Sequence, residues 1–148
     1  MSQKRVFVLG ATGTIGRATV RALLRRGHDV VCFVRPRAGV SARLFPGATV
    51  RFGDVTDPAS LARDGFQGER FDALVSCLAS RTGAPKDAWA IDHQAHVHAL
   101  AAAKAAGVSQ VVLLSAICVQ KPRLAFQHAK LAFEGVLAGS GLTYSIVR

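Results

Sequence analysis

Gly10, Gly13 and Gly16 recur at three-residue intervals in Gly10-Ala11-Thr12-Gly13-Thr14-Ile15-Gly16, directly after the apolar run Val6-Phe7-Val8-Leu9 and at the opening of a helical pattern. A glycine at the first position lets the backbone turn tightly off a strand. One at the second admits a pyrophosphate close to the main chain, and one at the third lets the helix start pack against the sheet. The amides that open such a helix lack intrahelical partners and carry the positive end of the macrodipole, so they hold phosphate without a lysine. With Thr12, Thr14 and Ile15 filling the remaining places, the segment reads as the phosphate cradle of a dinucleotide site. Strand, glycines, helix and second strand follow one another within about 30 residues, the context such a motif requires.

An architecture of this kind places the adenosine ribose at the end of the second strand, where an acidic residue bonds both ribose hydroxyls and repels a 2′-phosphate. This chain instead has Val34-Arg35-Pro36-Arg37. Guanidiniums clamp phosphate through charge-assisted, bidentate hydrogen bonds, so Arg35 first and Arg37 second favour NADPH over NADH. In Phe52-Gly53-Asp54-Val55, Asp54 is placed to accept from the adenine amino group while the Val55 backbone fixes the ring edge; a plain turn aspartate is the competing reading.

These groups need a frame, and hydrophobic periodicity supplies one. Residues 4–9 read as the first strand; residues 15–26 read as a helix with Ala18 and Leu23 toward the sheet, stopped by Gly27. Residues 29–34 and 49–52 follow as strands, with a short helical segment at 41–45 between them, and Pro58 opens another helix. Residues 71–78 make strand four, and 87–106 an alanine-rich helix closed by Gly107. Strand five lies within 110–119, a helix over 124–137, and strand six over 142–147. Near-continuous apolar strands alternating with five helical segments imply an α/β, Rossmann-type doubly wound parallel sheet of six strands, with ligands at its carboxyl ends.

The chain has 148 residues, half of them hydrophobic, enough for one core and one domain over 1–148. Its net charge of +10 is concentrated early: residues 1–51 hold ten Lys and Arg against Asp29 alone. These cations are scattered and not interleaved with aromatics, which argues against nucleic acid, and Arg17, Arg21, Arg25 and Arg26 read as a solvated helix face. No apolar run approaches the roughly 20 residues of a membrane span, and glycine interrupts the run after Lys4-Arg5 too early for a signal peptide, so a cytoplasmic location without a transmembrane segment is expected. Cys32, Cys77 and Cys118 are odd in number, sit in apolar segments and lack ligand spacing; reduced core thiols and no metal site are expected.

The string from Gly10 to Gly16 resembles the G-A-T-G-x-I-G of atypical, NADP-binding members of the short-chain dehydrogenase/reductase superfamily, and the resemblance spans the chain. It implies that Cys77-Leu78-Ala79-Ser80 flanks the cofactor's ribose and nicotinamide, with Ala79 and Ser80 in contact. It also implies catalytic roles for Ser115, after strand five, and for Lys130, the latter holding the nicotinamide ribose. The superfamily's Tyr-x-x-x-Lys pair is replaced by Phe126-Gln127-His128-Ala129-Lys130. Without a phenol, Phe126 cannot exchange a proton with a carbonyl oxygen, so a carbon–carbon double bond becomes the expected hydride acceptor.

Leu114-Ser115-Ala116-Ile117-Cys118-Val119-Gln120-Lys121-Pro122, the residues around Phe126 and Lys130, Thr143-Tyr144-Ser145-Ile146-Val147-Arg148, Lys86-Asp87-Ala88-Trp89 and Asp92 carry a narrower resemblance, to the tetrapyrrole vinyl reductases of chlorophyll and bacteriochlorophyll synthesis. It implies an NADPH-dependent enzyme acting on a magnesium tetrapyrrole, with Trp89 available to stack on a flat substrate or to pack beneath a helix. His128 is a proton-donor candidate by position alone, and no donor is assigned. The resemblance further implies a substrate-enclosing region beyond Arg148. A non-catalytic NADP-sensing regulator and an isoflavone-reductase type of enzyme are the alternatives.

Overall fold

A computed structural model describes residues 2–37 and 39–148. Six strands, β1 (Arg5–Leu9), β2 (Asp29–Val34), β3 (Thr49–Phe52), β4 (Ala73–Ser76), β5 (Gln110–Leu114) and β6 (Thr143–Val147), form one parallel sheet in the order β3-β2-β1-β4-β5-β6. Burial explains their composition. Every residue from Val6 to Leu9, Val30 to Val34 and Ala73 to Ser76 is buried, as central strands covered on both faces demand, whereas the edge strand β6 is mostly exposed.

Helix α1 (Thr14–Arg25) buries Gly16 and Val20, and Leu23 and Leu24 pack partly on the same side. Ala18, expected to face the sheet, is exposed: it lies half a turn from the 16–20 face on a 3.6-residue period. On the opposite face of the sheet, Phe7 stacks on Phe66 at 3.9 Å between centroids while Phe71 meets Phe7 edge-on at 5.3 Å, anchoring the second core.

Asp57 caps α2 (Pro58–Ser60), its side chain accepting from Ala59 N–H at 3.0 Å, and the helix runs on into a π-helical stretch, Leu61–Phe66. The long helix expected over 87–106 is continuous but composite: α3 (Pro85–Ala88), a π-helical stretch over Trp89–Ala95, then α4 (His96–Ala105), closed by Gly107 at φ +82. Helix α5 (Ala125–Ala138) follows β5.

Two further expectations fail. Residues 41–45 form turns closed by Leu44 N–H to Ser41 O and Ala48 N–H to Phe45 O. Pro46 and Gly47, the latter at φ +94, cut the segment off before a helical ladder can propagate, leaving four helical segments among the described residues. Of the three cysteines, all free, only Cys32 is buried in the core. Cys77 is half-buried beside the β4 terminus, and Cys118 is exposed at φ +63 in the turn after β5. No helix among the described residues is long and apolar enough to cross a membrane.

Candidate dinucleotide-binding site

A cleft of about 460 Å³ opens at the carboxyl ends of β1, β2, β3 and β4, where parallel α/β sheets bind ligands. Its floor is Leu9 to Gly13. Gly10 sits at φ +74, and a Cβ there would overlap the Cys77–Leu78 peptide; one on Gly16 would overlap the Gly10 carbonyl. Both glycines therefore let three pieces of main chain meet. Gly13 differs: the nearest atom to a Cβ there is Gly10 O at 3.8 Å, so nothing in the protein forbids a side chain. As the N-cap of α1, it leaves the helix's first amides open to the cleft side, with no side-chain cap and no acid in the first turn. Those features fit a bound diphosphate.

Arg35 and Arg37 line the adjoining wall, and Val55 with Gly53 closes the end beyond β3. Asp54 does not line the cleft. Its Oδ1 accepts from Thr56 N–H at 2.9 Å and Thr56 Oγ–H at 2.6 Å, bonds that hold its carboxyl below the ordinary range. The opposite wall is Leu78, Ala79, Ser80 and Arg81. Arg81 escaped the sequence reading, although an arginine shortly after a strand end was the signal used for Arg35. Asp87, also on the wall, accepts from Thr82 N–H and Oγ–H and is held below its usual pKa by them.

Ser115 and Lys130 are not among the cleft-lining residues. Ser115 Oγ donates to Glu134 Oε2 at 2.6 Å, and Arg148 donates to Glu134 Oε1 at 2.6 Å. Burial alone would raise the Glu134 pKa; these two bonds outweigh it and bring the carboxyl below its ordinary value. Lys130, 3% exposed, donates to Leu78 O at 2.8 Å and lies 3.4 Å from Asp92 Oδ1. Desolvation lowers its pKa against the opposing pull of Asp92.

Phe126 is half-buried against Gly83, where a Cβ would lie 3.6 Å from its ring. His128 is exposed on α5. Trp89 is 43% exposed and meets His93 edge-on, so it does not pack beneath the helix. Cys77 touches the cleft, but burial raises its thiol pKa and its Sγ donates to Thr19 Oγ1, a poor setting for a nucleophile.

The fold, the glycine cradle and the cleft define a Rossmann-type dinucleotide binder. Residues 10–148 match the NAD(P)H-binding family, and the chain belongs to it; the site takes a nicotinamide cofactor. The chain is 49% identical over 99% of its length to the chloroplastic divinyl chlorophyllide a 8-vinyl-reductase of Oryza sativa subsp. indica, and 44% identical over 97% to that of Arabidopsis thaliana. It spans 40% and 38% of those two proteins. Among solved structures, the Bordetella bronchiseptica enzyme WbmH in complex with NAD+ superposes with a TM-score of 0.80 at 26% identity, covering 98% of this chain and 55% of that one.

Proposed function

We propose that the chain is the cofactor-binding part of an NADPH-dependent reductase that converts the 8-vinyl group of a divinyl chlorophyllide-type magnesium tetrapyrrole to ethyl. The observation that carries this reading is the 44–49% identity to plant 8-vinyl-reductases along 97–99% of the chain. The cleft supports it. Gly10, Thr12 and Gly13, with the amides of Thr14, Ile15 and Gly16, hold the pyrophosphate, and Arg35 and Arg37 hold a 2′-phosphate. Val55 borders the adenine, while Ala79 and Ser80 border the nicotinamide half. NADPH, when bound, supplies the hydride.

Phe126 offers no proton, which suits a carbon–carbon double bond: the conjugated macrocycle takes up the charge the hydride brings, and water supplies the proton that completes the ethyl group. Mixing divinyl chlorophyllide and NADPH with the chain, alone and within the full product of its gene, tests the proposal. The ethyl product is expected from the full product, and its absence there would remove the reductase reading. A second reading, a non-catalytic NADP sensor, is favoured by Phe126 and by the burial of Lys130. It predicts NADPH binding with no turnover in either form.

A further inference from the structure

We infer that Asp92 and Lys130 form a brace that sets the nicotinamide-side wall of the cleft. This deepens the dinucleotide reading and rests on it. An ammonium has three donors, and three acceptors surround Lys130 Nζ: Leu78 O at 2.8 Å, Asp92 Oδ1 at 3.4 Å and Leu114 O at 3.5 Å. The first is a full hydrogen bond, and the other two are longer contacts that keep the ammonium among protein oxygens. The side chains of Lys130 and Asp92 are 4% and 1% exposed, so the pair lies out of water's reach.

Asp92 carries the brace onward. Its Oδ1 accepts from Ser80 N–H at 3.1 Å and its Oδ2 from Ser80 Oγ–H at 2.6 Å. Leu78 and Ser80 both line the cleft, so each end of the ion pair holds one residue of the same wall. That wall follows β4, on the opposite side of β1 from β2. With adenosine over β2, it borders the nicotinamide half. Breaking a buried pair leaves an uncompensated charge, and the wall it holds is then free to shift.

The test titrates NADPH and 2′,5′-ADP, the adenosine half alone, by calorimetry into the unaltered chain, Asp92→Asn, Lys130→Met and the double variant. Asp92→Asn and Lys130→Met are each expected to weaken NADPH about tenfold, the double variant by no more than about twofold beyond either, and 2′,5′-ADP affinity to stay within about twofold throughout. A merely loosened fold would weaken both ligands alike, and that outcome overturns the brace. So does loss of NADPH affinity in Lys130→Met with Asp92→Asn unaffected, the pattern of a lysine that touches ribose. Should Lys130→Met fail to fold, the double variant, which leaves no lone charge in the interior, carries the same expectation. An unaltered chain that does not bind NADPH overturns the dinucleotide reading and the brace together; one that binds it, with Asp92→Asn unchanged, overturns the brace alone.

Discussion

Ser76 Oγ and His96 Nε2 lie 2.7 Å apart in the buried layer beneath the cleft. The other ring nitrogen, Nδ1, is 2.8 Å from the Ile91 carbonyl, which only accepts, so Nδ1 carries the hydrogen and Nε2 accepts from the Ser76 hydroxyl. The Ser76 oxygen in turn accepts from Leu78 N–H at 3.2 Å. A neutral histidine thus ties the end of β4 to the π-helical stretch that carries Asp92.

Burial lowers the His96 pKa from 6.5 to about 3. Between those values the unfolded chain takes up a proton that the folded chain refuses, so stability falls as pH drops below the unfolded pKa, by about 1.4 kcal/mol per pH unit for one proton. Thermal melts at about pH 7.5 and about pH 5 are expected to show a larger drop in Tm for the natural chain than for His96→Gln. Equal drops would assign the acid sensitivity to other groups.

Arg35→Ala is expected to lower the NADPH-to-NADH affinity ratio by about ten- to a hundredfold, the loss of a charge-assisted pair to the 2′-phosphate. Arg37→Ala acts in the same direction and more weakly. Isothermal titration with both cofactors measures the ratio, and an unchanged ratio in Arg35→Ala would remove that residue from the 2′-phosphate site.

The cradle glycines separate folding from binding. Gly13→Ala meets nothing within 3.8 Å and sits at φ −75, so it is expected to melt with the natural chain while losing dinucleotide affinity. Gly16→Ala overlaps the Gly10 carbonyl and is expected to cost about 1–3 kcal/mol of stability in urea unfolding. Undiminished affinity in Gly13→Ala would mean that no phosphate approaches that backbone.

Ser115→Ala removes one of two donors to the buried Glu134 carboxylate and is expected to cost about 1–2 kcal/mol in the same unfolding experiment. NADPH affinity is expected to stay within about twofold, because the hydroxyl faces α5 and not the cleft. A larger loss of affinity would give Ser115 a direct part in holding the cofactor.

The parts of the site that depend on neighbours in sequence were legible. The Gly10 to Gly16 spacing, the arginines closing β2 and the strand boundaries at Asp29–Val34 and Thr49–Phe52 are local patterns, and the structure follows them. Pairs joined by strand order and helix rotation were not. Ser76–His96, Ser115–Glu134 and Asp92–Lys130 link residues of different elements, and no periodicity tells which polar side chain on one meets which on another. Lys130 shows the difficulty plainly: its place in a motif predicts a ribose contact, and nothing in the local sequence announces Asp92, 38 positions earlier in the chain and 3.4 Å from its ammonium. The overestimated helix at 41–45 has a different origin, since its apolar spacing reflects Phe45 plugging the core from a turn.

Trp89 is the chain's single tryptophan, and it stands two residues from Ile91, which lines the cleft. Indole emission overlaps the absorption band of a dihydropyridine ring but not that of its oxidised pyridinium form. Binding of the reduced ring in the cleft is therefore expected to quench the chain's one indole, and oxidation of that ring to restore its emission.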